Sequence, residues 1–293
     1  MPRLLIVDGH AYAYRAFHAI RALRSPVGEP TNAIYGFIKM LAKMRVKLAP
    51  SHLLVVWDGG LSAERLAALP EYKAQRPAMP ADLAVQFDDL VAYLGAAGVS
   101  SFCAEGVEAD DYIAAVARRA ARAGWNVVIA SSDKDFMQLV SPRIGLLNPN
   151  DKSESVWTAE QVRAKAGVDP LQIVDWLALI GDNVDNIPCV PGVGPKTAAE
   201  LLNQFGSVAE LYAHLDTVKS ERVRNALQAS TEVVQRNIAL VRLPDELPCA
   251  IELDELADIP ADSDALAELF SRWGFRSMLA ELEAAESRQS VLL

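Results

Sequence analysis

Three short apolar runs, each leading into an aspartate, constrain this chain more than any other feature of its sequence. Residues 4–7 read LLIV and lead into Asp8; residues 53–57 read LLVVW and lead into Asp58; residues 127–130 read VVIA and are followed by Ser131, Ser132 and Asp133. Each run is aliphatic, much of it β-branched, and gives way to helix-like sequence. That is the pattern of parallel strands buried on both faces of an α/β domain. In open parallel sheets a ligand sits beyond the carboxyl ends of the strands, so three acids at three such ends are expected to converge on one place. Any one of them alone reads equally well as a turn residue or a helix N-cap.

Further acids follow the same logic. The segment GVEADDYIAAVARRA supplies Glu108, Asp110 and Asp111 at the start of a helix, with Glu108 and Asp111 three apart and so on one face. Acids in a first turn are favoured by the helix dipole, but three before an apolar helix exceed what capping requires. SSDKDFMQLV adds Asp135 to Asp133, and GDNVDNIP adds Asp182 and Asp185. Nine carboxylates in one cleft would repel one another at neutral pH, so a cation is expected among them. Neither cysteine nor histidine lies in these acidic motifs beyond the first strand, and an all-oxygen set points to Mg²⁺ or Mn²⁺ and away from zinc. Two such ions about 3.5–4 Å apart would polarise a phosphate and stabilise a leaving oxygen.

The formal charge of −10 speaks at first against a nucleic-acid partner. Setting the nine acids aside as metal-facing leaves −1, and local basic patches then suffice to hold DNA. Cys103, Cys189 and Cys249 are too far apart for a zinc or redox pair and read as buried or incidental thiols in a reducing compartment. No apolar run approaches the ~20 residues of a membrane helix, so a cytoplasmic protein is expected. His10, His18, His52 and His214 are scattered and read as ordinary core or surface residues.

A chain of 293 residues suggests one large domain and one smaller. Between 62 and 97 the strand pattern vanishes, and EYKAQRPAMP carries a basic cluster between prolines; this reads as an insertion over the sheet. From about 169 the chain is mainly helical, and 261–293 reads as one or two amphipathic helices with Leu266, Leu269, Phe270 and Trp273 at helical spacing. PGVGPKTA is not a phosphate-binding P-loop, because Pro195 stands where the second glycine should be and no strand precedes it.

Taken together, LLIVDGHAYAYRAFHA, TNAIYGFIKML, VVWDGG, EYKAQRPAMP, GVEADDYIA, SSDKDFMQLV and GDNVDNIPCVPGVGPKTAAELL, in that order, resemble the 5′-nuclease domain of bacterial DNA polymerase I and the wider flap-endonuclease superfamily. The resemblance implies an α/β, PIN-like three-layer domain with a central, mostly parallel sheet over 1–168. It implies a helical arch at about 62–97, a helix-hairpin-helix domain over 169–260 and a helical segment over 261–293. It implies that Asp8, Asp58, Glu108, Asp110, Asp111, Asp133, Asp135, Asp182 and Asp185 are the metal-binding acids. Asp110, Asp111, Asp133 and Asp135 would be innermost, with Asp182 and Asp185 more peripheral. Arg15, Lys73 and Arg76 are implied at the scissile phosphate. Arg65 and Tyr72 belong to the arch motif and are implied to contact DNA, Tyr72 as a stacking platform for an unpaired base. Gly192, Gly194 and Lys196 would form the hairpin that faces duplex phosphates, with a K⁺ ion bridging it to DNA. Two residues depart from the family pattern: Glu64 replaces a usual phenylalanine and Cys189 a common glycine.

The function implied is hydrolysis of phosphodiester bonds at 5′ ends, nicks and flaps of DNA with two or more Mg²⁺ or Mn²⁺ ions, in replication and repair, including RNA-primed 5′ strands. A monomer is expected, alone or fused to a DNA polymerase, in the bacterial cytosol. Three alternatives stay open at this point: a PIN-like ribonuclease, a non-catalytic structure-specific DNA-binding module, and a Mg²⁺-dependent phosphatase.

Overall fold

The computed structural model describes residues 1–248 and 251–290; Cys249 and the end of the expected C-terminal helical segment lie outside them. The described residues form two compact units. One contains Met1–Trp57, Ala78–Cys103 and the described part of Ala250–Leu293; the other contains Asp58–Pro77 and the described part of Ala104–Cys249.

In the first unit, strands β1 (Arg3–Asp8), β2 (His52–Val56) and β3 (Ser100–Phe102) pair in parallel, with Leu5 opposite Leu53 and Leu54 opposite Ser100. Leu4 to Val7 and Leu53 to Val56 are at most 1% exposed. Both faces of these strands are covered, and that is why the runs are continuous rather than alternating. Asp8 ends β1 and caps the helix Gly9–Ala19, accepting the Ala11 N–H at 3.0 Å. The expected C-terminal helices are Ser263–Trp273 and Arg276–Ser290, the first burying Leu266, Phe270 and Trp273. Asp89, on the helix Phe87–Ala96, accepts the Trp273 indole N–H at 2.9 Å and fixes that packing.

In the second unit, β4 (Asn126–Ala130) runs parallel to β5 (Ile144–Leu147), and β6 (Val156–Trp157) is antiparallel to β5. Helix Ala109–Arg122 and the 3₁₀ turn Lys134–Leu139 flank β4 in sequence. Helices Ile173–Ile180 and Thr231–Val241 are joined by Asn237, whose amide donates to the carbonyls of Ala178 at 3.0 Å and Pro188 at 2.7 Å. Gln138 donates to the Val241 carbonyl at 2.9 Å and accepts the Leu243 N–H at 3.0 Å. The Gln138 bonds tie the 104–168 stretch to the helices beyond it, within the same compact unit.

The fold class is the expected α/β arrangement of mostly parallel strands with a helical part. The stretch expected as one arch, 62–97, is shared between the units. Its first part carries the short helix Ala63–Ala68 and the turns to Pro77; its second part, with Ala81–Ala84 and Phe87–Ala96, buries Leu83, Leu90 and Leu94 completely in the first unit. Cys103 and Cys189 are exposed, which leaves the incidental of the two expected readings.

Candidate active site

The acidic motifs of the second unit meet a set of cations that belongs to the protein itself. Arg65 leaves the Ala63–Ala68 helix and forks onto Asp111, Nη1 donating to Oδ2 at 2.9 Å and Nη2 to Oδ1 at 2.6 Å. The same Nη1 lies 3.0 Å from Glu108 Oε1 and 3.9 Å from Asp110 Oδ1. The Lys73 ammonium forms an ion pair with Glu108 and stands 4.0 Å from Asp110. Arg76 Nη2 donates to Asp185 Oδ1 at 2.6 Å, and Lys134 Nζ lies 3.1 Å from Asp182 Oδ2. The cation that the acids of the second unit require is therefore partly internal. Arg65, Lys73, Arg76 and Lys134 are engaged with carboxylates, and subtracting the acids alone, as the charge argument did, left these partners out of the balance.

The backbone holds this arrangement in place. Lys73 and Asn186 are non-glycine residues with φ of +56° and +59°, a conformation that tertiary contacts must enforce. The Lys73 N–H donates to the Asp185 carbonyl at 3.0 Å, and the Asn186 amide donates to the Glu71 carbonyl at 2.9 Å. Two left-handed turns thus face each other and lock the 70–76 segment onto the 182–187 loop, itself closed by the Asp182–Ile187 bridge.

Burial and charge then divide the acids by ionisation. Glu108 is buried, which opposes its charge, but Lys73 and Arg65 outweigh burial and hold it below the usual carboxylate range. For Asp110 burial wins, reinforced by Asp111 and Glu108 against Lys73 and Arg65, and its pKa is pushed up to about 7. Asp111 is raised by burial despite its fork with Arg65. Asp135 is raised well above the ordinary value by burial and by the charges of Asp133, Asp185, Asp110 and Asp182. Those four neighbours show that acids from three separate segments share one electrostatic site.

Asp135 also provides the test of whether a metal suits the site. Its N–H donates to Asp133 Oδ1 at 2.9 Å, yet its own Oδ1 is buried without a hydrogen-bond partner. A buried carboxylate oxygen with nothing to accept from is costly unless a cation serves it. The donors around it are all carboxylates, which suits a hard divalent ion. As the side chains stand, no three acids, histidines or cysteines among the described residues form a group that could hold an ion. Glu108, Asp111, Asp182 and Asp185 are instead paired with Arg65, Lys73, Lys134 and Arg76.

The remaining expected residues fall as follows. Asp58 accepts the Gly60 N–H at 3.4 Å in the turn after β2. Asp8 and Arg15 lie in the first unit, where both charges act on the buried Tyr12 hydroxyl, Arg15 lowering its pKa and Asp8 raising it, while burial raises it most. Tyr72 does not offer a stacking face: it is 2% exposed, with its hydroxyl donating to Glu108 Oε2 at 3.2 Å and Lys73 Nζ 4.8 Å from its ring centroid. Glu64 is exposed, so the departure from phenylalanine strains nothing. Gly192, Gly194 and Lys196 are exposed at the start of helix Pro195–Phe205, which has Gly194 as N-cap and proline in its first turn. Gly192 has φ of +78°, and a side chain there would meet the Arg222 guanidinium at 2.8 Å. Sequence reasoning missed Lys134 and Arg222. Lys134 had a visible sign, its place between Asp133 and Asp135; Arg222 had none.

Comparison with known proteins finds relatives over nearly the whole chain. Residues 3–167 match the 5′-3′ exonuclease, N-terminal resolvase-like domain, and residues 168–264 match the 5′-3′ exonuclease, C-terminal SAM fold. The chain is 37% identical to DNA polymerase I of Bacillus caldotenax over 289 residues, which is 98% of this chain and 33% of that one. It is 37% identical to a 5′-3′ exonuclease of Aquifex aeolicus over 283 residues, covering 97% of this chain and 96% of that one. The chain thus spans about a third of the length of the polymerase relative and nearly all of the exonuclease. Among solved structures it is similar to T5 5′-exonuclease with bound zinc ions, at 26% identity and a TM-score of 0.70 over 91% of this chain and 96% of that one.

Proposed function

The chain belongs to the 5′-3′ exonuclease family, and from that premise we propose that it hydrolyses phosphodiester bonds at 5′ ends, nicks and flaps of DNA, with magnesium or manganese held by the acid cluster of the second unit. The observation that carries this reading is Asp135: a buried carboxylate, in the field of Asp110, Asp133, Asp182 and Asp185, with one oxygen that nothing among the described residues satisfies. A divalent ion bound there supplies Lewis acidity toward a phosphodiester and lowers the pKa of water.

The chain's own residues do the rest. Arg76, whose side chain is 39% exposed, is the cation of the cluster with most access to a phosphate, which its planar guanidinium can grip in two places. Lys73, 4% exposed in its ion pair with Glu108, reaches a phosphate only when that pair opens. Tyr72 and Arg65 are buried against Glu108 and Asp111. The exposed amides around Gly192 and Gly194, with Lys196, suit duplex phosphates and read shape rather than sequence; a potassium ion at this hairpin is part of the same reading.

No described helix is long and apolar enough to cross a membrane, and we place the protein in the cytosol with DNA. One relative is named a DNA polymerase, so the 5′ strands it meets include those ahead of a polymerase, RNA-primed ones among them. The test is cleavage of a labelled 5′-flap DNA with Mg²⁺ or with EDTA, by the natural protein and by Asp133→Ala. Cleavage should require Mg²⁺ and fall on the order of 100-fold or more in the variant; cutting that persists in EDTA would contradict the proposal.

A further inference from the structure

The family resemblance assigns Arg65 to DNA. The geometry points elsewhere: we propose that Arg65 is a positioning residue, which fixes Glu108 and Asp111 in place beside Asp110 and does not touch the nucleic acid. The inference rests on the reading of the cluster as a metal centre, and it concerns what holds that centre in shape.

A guanidinium has five N–H donors and no other polar function. In Arg65 each nitrogen is engaged inside the protein. Nε donates to the Leu240 carbonyl at 2.9 Å, at the end of helix Thr231–Val241; Nη1 and Nη2 fork onto Asp111; and Nη1 also faces Glu108. The side chain is 8% exposed. These contacts occupy four of the five N–H groups, so a phosphate gripping this guanidinium in two places would have to displace at least one of them and leave its buried acceptor unsatisfied. Arg76 offers a contrast, with 39% of its side chain exposed.

The acceptors are filled to match. Glu108 Oε1 takes the Ser62 N–H at 2.9 Å and faces Arg65, while Oε2 takes the Tyr72 hydroxyl at 3.2 Å and faces Lys73. Both oxygens of Asp111 take Arg65. Asp135 is the opposite case, with one oxygen bare. Arg65 therefore ties three elements, the Ala63–Ala68 helix, the first turn of Ala109–Arg122 and the end of Thr231–Val241, into one mount for the acidic turn that carries Asp110.

The experiment compares the natural protein with Arg65→Gln and Arg65→Lys in two measurements. The first is Mn²⁺ binding by calorimetry; the second is affinity for 5′-flap DNA without divalent ions. A positioning role predicts Mn²⁺ affinity weakened about 10–100-fold in Arg65→Gln, partly restored in Arg65→Lys, with DNA affinity within about twofold in both. A tenfold loss of DNA affinity in either folded variant, or an unchanged Mn²⁺ isotherm in both, would overturn the assignment. Should Arg65→Gln fail to fold, Arg65→Lys is judged by the same two readings. A natural protein that bound no Mn²⁺ would overturn the metal centre itself, a failure separate from that of Arg65.

Discussion

Lys73 and Glu108 form an ion pair almost closed to water, their side chains 4% and 1% exposed. Removing one partner of such a pair leaves the other charge buried, at a cost of about 3–5 kcal/mol. Lys73→Met should therefore destabilise the metal-free protein by about that amount, read from urea unfolding. Part of the loss should return in saturating Mg²⁺, because a divalent ion neutralises the same carboxylates; a ligand at 100 times its Kd adds about 2.7 kcal/mol to a native state that alone binds it. A loss equal with and without Mg²⁺ would separate Lys73 from the metal site.

Asp110 makes a pH prediction. Its folded pKa is about 7, raised by burial from an ordinary carboxylate value near 4. Between those values the folded protein keeps a proton that the unfolded chain has lost, so stability falls as pH rises through the window. Asp110→Asn carries no such proton. In metal-free buffer the variant should gain stability relative to the natural protein between about pH 4 and 7, and the difference should level off above. Urea unfolding at pH 5 and pH 8 measures it; an equal difference at both would show that Asp110 titrates normally.

Much of this was legible in the chain and some was not, for identifiable reasons. The runs at 4–7, 53–57 and 127–130 became β1, β2 and β4 because strands covered on both faces need unbroken apolar sequence. Strands β3 and β6, of three and two residues, carry too little pattern to be seen. Strand β5 hides behind Gly145, which reads as a breaker; the structure needs glycine there because a side chain would lie 2.3 Å from a Val156 methyl group. The acids Glu108 to Asp185 were found because carboxylate spacing is visible in sequence. The acid partners of the cations were not legible, since nothing local tells whether a basic residue also faces an acid 46 positions away, as Arg65 faces Asp111. Tyr72 shows the same limit: an aromatic ring in a basic segment reads as a base platform, and only tertiary packing reveals that it is buried.

The turn after β2 offers a stability test independent of catalysis. A side chain at Gly59 would lie 1.7 Å from the Ala104 carbonyl oxygen, whereas one at Gly106 would meet nothing within 4 Å, although Gly106 has φ of +74°. Gly59→Ala should force the backbone apart and cost several times the roughly 1–2 kcal/mol expected of Gly106→Ala. Comparable midpoints for the two variants in thermal unfolding would argue against this packing.

At the hairpin, Lys196 is exposed and Gly192 and Gly194 present amides beside it. Lys196→Ala should weaken duplex binding about equally for every sequence and reduce the slope of log affinity against log salt by about one. Fluorescence anisotropy at several salt concentrations reads both, and an unchanged slope would remove Lys196 from the interface.

Divalent ions must lodge among Asp110, Asp133, Asp135, Asp182 and Asp185 for the proposed hydrolysis to occur. Anomalous scattering from Mn²⁺-soaked crystals tests that most directly. We expect a peak at about 2.0–2.2 Å from Asp135 Oδ1, with Lys73 or Arg76 drawn away from its carboxylate partner. Crystals saturated with Mn²⁺ that showed no peak there, with the ion pairs intact, would contradict it.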